Sequence, residues 1–196
     1  MEKLGLFCGC FDPVHSGHIR AAEACRDAFK LDEVLLIPAH DGFQKLSGWM
    51  ASGEDRLAMC RLAVQGHAGL SVSDYELRCA ECPYTMDTVL HSAAAHPGAE
   101  LFLCLGDDTA YGVKYWACFE ALRRQVSFLV IRRSGKGHAA DQLAELGARV
   151  GFIDLEPDGL SSTAIRAALR SGANSVPGLD EKVLCYIRDK HLYAAK

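Results

Sequence analysis

Short apolar runs rich in β-branched and aromatic residues punctuate the chain at Lys3–Phe7, Glu33–Ile37, Leu70–Ser73, Glu100–Leu105, Val126–Ile131 and Val150–Asp154. Their length and composition predict buried strands. Between most of them the apolar positions fall at helical spacing. After the first run, Ala21, Ala22, Cys25, Ala28 and Phe29 predict a helix, and Glu54–Val64 follows Ser52, a good N-cap with Asp55 three residues on. Met86–His96 after Tyr84-Thr85, and Ala139–Leu146 before the last run, read as helices too. Strands alternating with helices predict right-handed crossovers and a parallel sheet covered on both faces. The expected fold is α/β, a doubly wound (Rossmann-like) parallel sheet of five to six strands. Such sheets bind ligands at the carboxyl ends of their strands.

From about residue 160 the pattern changes. Ser162–Leu169 and Leu179–His191 both read as helices, separated by Ser171-Gly172 and Pro177-Gly178. These form a C-terminal helical tail on one domain spanning residues 1–196, since no repeat, low-complexity tract or linker divides the chain.

The balance of residues narrows the function classes. A chain of 196 residues, 49% hydrophobic, can bury one good core. A net charge of −4 without a Lys/Arg run excludes a protein that chiefly grips nucleic acid by its backbone. No apolar segment approaches the ~20 residues of a membrane helix, and no leader is evident, so the chain reads as soluble and cytoplasmic. Nine cysteines, an odd number scattered through strands and helices, read as reduced thiols. Cys79-Ala80-Glu81-Cys82 has the spacing of half a zinc site, but no second such pair accompanies it, so no metal site is expected there.

The chemistry concentrates where the first strand meets the first helix, at Gly9-Cys10-Phe11-Asp12-Pro13-Val14-His15-Ser16-Gly17-His18. A strand, a tight loop and a helix N-terminus present unpaired amides and the positive end of a helix dipole to an anion. Neither a GxGxxG nor a GxxxxGK[ST] signature is present, so phosphate must be held by another route. With a helix starting near Ser16, the imidazoles of His15 and His18, three residues apart, converge on one anion. They suit stabilisation of charge developing on a phosphorus centre and its leaving group. Zinc binding by Asp12, His15 and His18 is the weaker reading, because a helix N-terminus favours anions over cations.

That stretch resembles the G-[TS]-F-D-P-x-H-x-G-H signature of the HxGH nucleotidyltransferase superfamily. Leu160-Ser161-Ser162-Thr163-Ala164-Ile165-Arg166 resembles its second signature, I-S-S-T-x-I-R. Within the superfamily the chain is most similar to the bacterial nicotinate-nucleotide adenylyltransferases, from Leu4 to Tyr193. The similarity includes Glu54-Asp55-Arg56-Leu57-Ala58-Met59, Asp74-Tyr75-Glu76-Leu77, Pro83-Tyr84-Thr85-Met86-Asp87-Thr88, and Gly106-Asp107-Asp108 followed by Trp116.

The resemblance implies transfer of AMP from ATP to nicotinate mononucleotide, giving deamido-NAD and pyrophosphate. It implies His15, His18 and Arg166 as catalytic residues. Gly9, Cys10, Phe11, Lys45, Gly106, Asp108, Ser162 and Thr163 join them around ATP. Trp116 offers a face for stacking on a pyridine ring, or else is a core aromatic, while Tyr84 and Thr85 offer amides and a hydroxyl to its carboxylate. Asp108 suits a ribose hydroxyl. Magnesium (Mg2+) is expected, carried mainly by ATP phosphates and water. The expected partners are ATP and a pyridine mononucleotide, and a homo-oligomer is compatible with the sequence. Nicotinamide mononucleotide or phosphopantetheine as acceptor, and a non-catalytic nucleotide sensor, are the alternatives. The chain departs from the family at Cys8 and Cys10, where glycine and threonine or serine are usual, and at Gly42-Phe43-Gln44-Lys45, where the family has Pro-Pro-His-Lys.

Overall fold

The computed structural model describes residues 1–43, 51–132 and 139–194. Its sheet has six strands: β1 (Lys3–Gly9), β2 (Glu33–Pro38), β3 (Leu70–Val72), β4 (Glu100–Gly106), β5 (Val126–Arg132) and β6 (Arg149–Asp154). They lie in the order β3-β2-β1-β4-β5-β6, and every neighbouring pair is parallel. The doubly wound sheet expected from the alternating pattern is therefore the one formed, with all six strands placed and boundaries shifted by one or two residues.

Strand periodicity divides the core into two layers. Leu4 and Leu6 of β1, Leu101, Leu103 and Leu105 of β4, and Val126, Phe128 and Val130 of β5 face one side. Phe7, Phe102, Cys104, Leu129 and Ile131 face the other. The first layer is covered by α4 (Thr85–Ala95), α6 (Phe119–Gln125) and α7 (Ala139–Glu145) through Val89, Leu122 and Leu143. The second is covered by α1 (Ser16–Phe29), α2 (Gly53–Ala63) and α9 (Glu181–Asp189) through Ala22, Met59 and Ile187. Short turns α3 (Tyr75–Arg78) and α5 (Asp107–Ala110) follow β3 and β4, and α8 (Ser162–Arg170) precedes α9.

Helix ends follow local chemistry. Ser52 accepts from the Asp55 amide at 3.1 Å, so the expected cap forms, and Ser161 caps α8 by accepting from the Ala164 amide at 3.2 Å. The last helix starts later than Leu179 because Asp180 caps it, its carboxylate accepting from the Lys182 amide at 2.8 Å. Helices α3 and α6 are absent from the pattern reading. Helix α5 is absent from it too; α3 and α5, at four residues each, are too short to display a repeating apolar face, and α6 buries only Phe119 and Leu122.

The strand order reverses between β1 and β4. The chain runs outward through β2 and β3, then returns across β1 to build β4, β5 and β6. That switch point leaves a crevice beyond the carboxyl ends of β1 and β4, where the two crossover directions diverge. The loop from Gly9 to His15 and the turn Gly106-Asp107-Asp108 stand on its two sides.

Candidate active site

His15 is the N-cap of α1, in extended backbone conformation, and no acidic residue occupies the first helical turn. The positive end of the helix dipole therefore has no carboxylate of its own first turn beside it. The His15 backbone N–H donates to Nδ1 of His18 at 3.2 Å. That acceptor role fixes the second imidazole: Nδ1 keeps its lone pair and the ring proton sits on Nε2. The two rings lie 3.8 Å apart, centroid to centroid, and Phe11 meets His18 edge-on at 5.1 Å. Gly17 permits this approach, for a Cβ there would stand 3.0 Å from the His15 ring and 2.9 Å from Oδ2 of Asp158. The helix start near Ser16 and the juxtaposition of the two histidines are both as expected. The Ser16 amide, one of the orphan donors at the helix start, is taken by the Gly178 carbonyl at 2.7 Å.

The loop is held from several distant parts of the sequence. Asp12 is 1% exposed. Its Oδ1 accepts from the Tyr193 hydroxyl at 2.6 Å and the Ala51 amide at 3.2 Å. Burial, and after it the charge of Asp12, pushes the Tyr193 phenol well above its ordinary pKa, so the hydroxyl stays a donor. Arg56, fully buried in α2, donates to the carbonyls of Cys10 (2.9 Å) and Ala39 (2.7 Å) and to Oδ1 of Asp41 (2.8 Å). From α8, Nη1 of Arg166 donates to the Asp12 carbonyl at 2.7 Å and the Ser162 hydroxyl to the Pro13 carbonyl at 2.9 Å. The carbonyls at 10, 12 and 13 thus each accept from a side chain far along the chain.

The second signature is tied to the first: the Ser162 hydroxyl donates to it, and Arg166 is anchored on it with one nitrogen while Nη2 reaches the Thr163 hydroxyl at 3.3 Å. The guanidinium has five donors, so this anchoring still leaves it able to meet an anion at its exposed edge.

Between the ends of β1 and β4 lies a cleft of about 250 Å³. Of the expected site residues, Gly9, Phe11, His18, Gly106 and Asp108 line it, joined by Cys8, Asp107 and Thr109. His15 does not line it; that ring is 4% exposed and faces a separate cavity of about 280 Å³ with Ile19, Glu23, His67 and Val183. The Cys10 side chain is exposed and outside the cleft lining; its carbonyl is what Arg56 holds. Ser162, Thr163 and Arg166 also stand outside the cleft lining, on the α8 side of the loop. Lys45 lies outside the described residues.

The expected acceptor residues are placed differently. Tyr84 is 66% exposed, and its amide donates to Oδ2 of Asp87 at 2.8 Å. That amide, expected to meet a substrate carboxylate, is bonded within its own helix start. Thr85 opens α4. Trp116 is partly buried and packs against the layer containing Leu103 and Phe128. None of the three lines the cleft.

Beneath the cleft sits a polar cluster that sequence reading did not find as a unit. Buried Glu76 accepts from the Thr88 hydroxyl at 2.9 Å and the His40 amide at 3.4 Å. Burial raises its carboxyl above the ordinary range, against the lowering effect of those hydrogen bonds. Burial, followed by the charge of Glu76, raises the Cys8 thiol well above its ordinary value and keeps it protonated. His40 accepts from the Gly42 amide at 2.9 Å on Nδ1 and reaches the Cys79 carbonyl at 3.2 Å with Nε2, which fixes its tautomer. The signal in the sequence was the buried acid inside Asp74-Tyr75-Glu76-Leu77. The Cys79 thiol donates to the Tyr75 carbonyl at 3.4 Å. Among the described residues no group of three His, Cys, Asp or Glu side chains converges as a metal site, and no helix is long and apolar enough to cross a membrane.

Comparison with known proteins agrees with the architecture and the two signatures. Residues 6–168 match the cytidylyltransferase-like family. The chain is 36% identical to a probable nicotinate-nucleotide adenylyltransferase of Chromobacterium violaceum, over 97% of this chain and 98% of that one. A probable nicotinate-nucleotide adenylyltransferase of Opitutus terrae is 34% identical over 97% of both chains. Among solved structures, Plasmodium falciparum nicotinic acid mononucleotide adenylyltransferase complexed with NaAD superposes with a TM-score of 0.80 over 98% of each chain. Its 16% identity makes that a likeness of fold. With the switch-point cleft, the paired histidines and near full-length identity above 30% to these relatives, the chain belongs to the cytidylyltransferase-like family and, within it, to the nicotinate-nucleotide adenylyltransferases.

Proposed function

We propose that the chain transfers the adenylyl group of ATP to nicotinate mononucleotide, forming deamido-NAD and pyrophosphate. A phosphate oxygen of the mononucleotide attacks the α-phosphorus in line, the bond from that phosphorus to the α–β bridging oxygen breaks, and pyrophosphate departs with the electron pair. No protein nucleophile is needed, so the protein's contribution is alignment and stabilisation of charge.

The observation that carries this reading is the fixed state of His18. Its Nδ1 accepts from the His15 amide, which leaves the ring proton on Nε2, and the residue lines the cleft at the start of a helix whose first turn has no acid. A donor of fixed direction beside a helix dipole suits the negative charge that grows on the leaving group, and it needs no reorganisation during the reaction. His15 orients His18 through its backbone and lends its ring to the same end of the helix. Arg166, Ser162 and Thr163 bring the α8 N-terminus to the outer phosphates, and the family resemblance adds Lys45 to them. Gly9 and Phe11 line the route to the α-phosphate, with Cys10 between them. Gly106 at the end of β4 and Asp108 in α5 face the nucleoside, while Trp116, Tyr84 and Thr85 meet the pyridine mononucleotide from α4 and the segment before α6. Magnesium would come with the substrate as Mg–ATP, its coordination filled mainly by phosphate and water.

A pyrophosphate-release assay with nicotinate mononucleotide, nicotinamide mononucleotide and phosphopantetheine as acceptors tests the reaction and its acceptor together. Release with the nicotinate form above the others supports the proposal; no release with any pyridine mononucleotide in the presence of magnesium overturns it. His18→Ala is expected to lower turnover by ~100-fold or more, the usual consequence of removing one preorganised donor.

A further inference from the structure

Asp107 is the second residue of Gly106-Asp107-Asp108, the position the family pattern leaves unspecified. It lines the cleft together with His18 and Gly9, and its Oδ1 is buried with no hydrogen-bond partner among the described residues. Neighbouring Asp108 also lines the cleft but is exposed, so water can satisfy it. A buried carboxylate oxygen that accepts nothing is costly, and most such atoms in folded proteins are paired. Among the described residues, Arg132 senses Asp107 but is committed to Asp154 through two hydrogen bonds of 2.8 and 2.7 Å. Among those residues nothing donates to Oδ1 of Asp107, and the side chain lines the cleft.

Charge decides what can meet it. A triphosphate would be repelled by a carboxylate in a partly desolvated cleft, and the phosphates have His18 and the α1 N-terminus on the opposite wall. What suits Oδ1 is a neutral donor, an O–H or N–H belonging to the sugar or base of a nucleotide.

We infer that Asp107 is a specificity-determining residue that accepts a hydrogen bond from a neutral donor of the bound nucleotide, either a ribose hydroxyl or the exocyclic amine of the base. This rests on the proposed reaction only in taking ATP as the ligand. A site built around a buried acceptor rejects an analogue that lacks the matching donor, because the acceptor is then left unpaired. Loss of one hydrogen bond to a charged group corresponds to a discrimination of roughly 10-fold to 100-fold.

The experiment is titration calorimetry of ATP, 2′-deoxy-ATP, 3′-deoxy-ATP and inosine triphosphate, with magnesium, into the wild-type protein, Asp107→Ala and Asp107→Asn. Thermal melts verify that each variant folds. The wild type is expected to bind one of the three analogues at least tenfold more weakly than ATP, and Asp107→Ala to bind ATP and that analogue within about twofold of each other. A deoxy-analogue deficit identifies the sugar as the donor, and an inosine triphosphate deficit identifies the base. Asp107→Asn, which keeps an acceptor oxygen without the charge, is expected to retain part of the discrimination. Equal ratios in the wild type and Asp107→Ala for all three analogues, or no nucleotide binding at all, overturn the inference. Nucleotide binding with the expected ratios but no pyrophosphate release overturns the proposed reaction and leaves the inference standing.

Discussion

The two sides of the site are built in opposite ways. On the phosphate side, the loop is buried from Phe11 to His15, and the carbonyls of Cys10, Asp12 and Pro13 accept from Arg56, Arg166 and Ser162. On the acceptor side, Tyr84 is 66% exposed, its amide serves its own helix, and Trp116 leans on the core rather than on the cleft. On the proposed assignment, the phosphate side is held by hydrogen bonds within the chain, whereas the acceptor side offers exposed surface to the mononucleotide. The difference has a chemical rationale. Stabilising charge at a transferring phosphorus requires donors fixed in advance, but a pyridine ring can be gripped by adaptable aromatic surface.

Substitutions separate the two sides. Arg56→Ala should have the largest effect on folding, because it strips donors from two backbone carbonyls and leaves Asp41 without its partner. A loss of about 3 kcal/mol or more is expected in urea melts. A cost below about 1 kcal/mol would show that the loop holds itself. Tyr193→Phe removes only the hydroxyl that donates to buried Asp12 at 2.6 Å. It should cost about 1–3 kcal/mol, and it should lower kcat more than it raises KM for ATP, since Asp12 shares its loop with His15 and its carbonyl holds Arg166. Equal kcat in this variant would uncouple the C-terminal tail from the phosphate side.

Glu76→Gln probes the floor between the two sides through pH. The folded protein raises this carboxyl, mainly by burial, so the native state binds its proton more tightly than the unfolded chain does. Its contribution is therefore favourable below the unfolded value, about 4.3, and is lost as pH rises through the folded value. The stability of Glu76→Gln relative to the wild type should increase over that interval and then level off, as measured by urea melts at stepped pH. A flat difference would mean that Thr88 and His40 fully offset the burial. Tyr84→Ala should have the smallest effect on stability, within about 0.5 kcal/mol, as expected for an exposed side chain, while raising KM for the mononucleotide severalfold. An unchanged KM would remove Tyr84 from the acceptor side.

Most of the fold was legible because its signals are local. Fully buried parallel strands such as β4 and β5 are nearly continuous apolar runs, and serine caps at Ser52 and Ser161 mark helix starts by their own hydrogen bonds. Helices α3 and α5 were missed because a single turn carries too few positions to reveal a face. At the site, the paired histidines were legible from spacing alone. The roles of Arg56, Asp12, Tyr193 and Glu76 were not, since each depends on partners 12 to 181 residues away. Spacing could not show that Arg166 and Ser162 donate to carbonyls of the first signature.

The sequence by itself determined the alternation that makes a doubly wound sheet and the helix start that brings His15 and His18 together, because period, capping and three-residue spacing act within a few residues. Tertiary structure alone decided which atoms face the crevice. Strand order placed Gly106 and Asp107 across from Gly9 and His18, set the His15 ring into a different cavity, and turned the second signature into a fastening of the first. Those outcomes follow from crossovers that bring distant segments within hydrogen-bond reach, and no local pattern carries that distance.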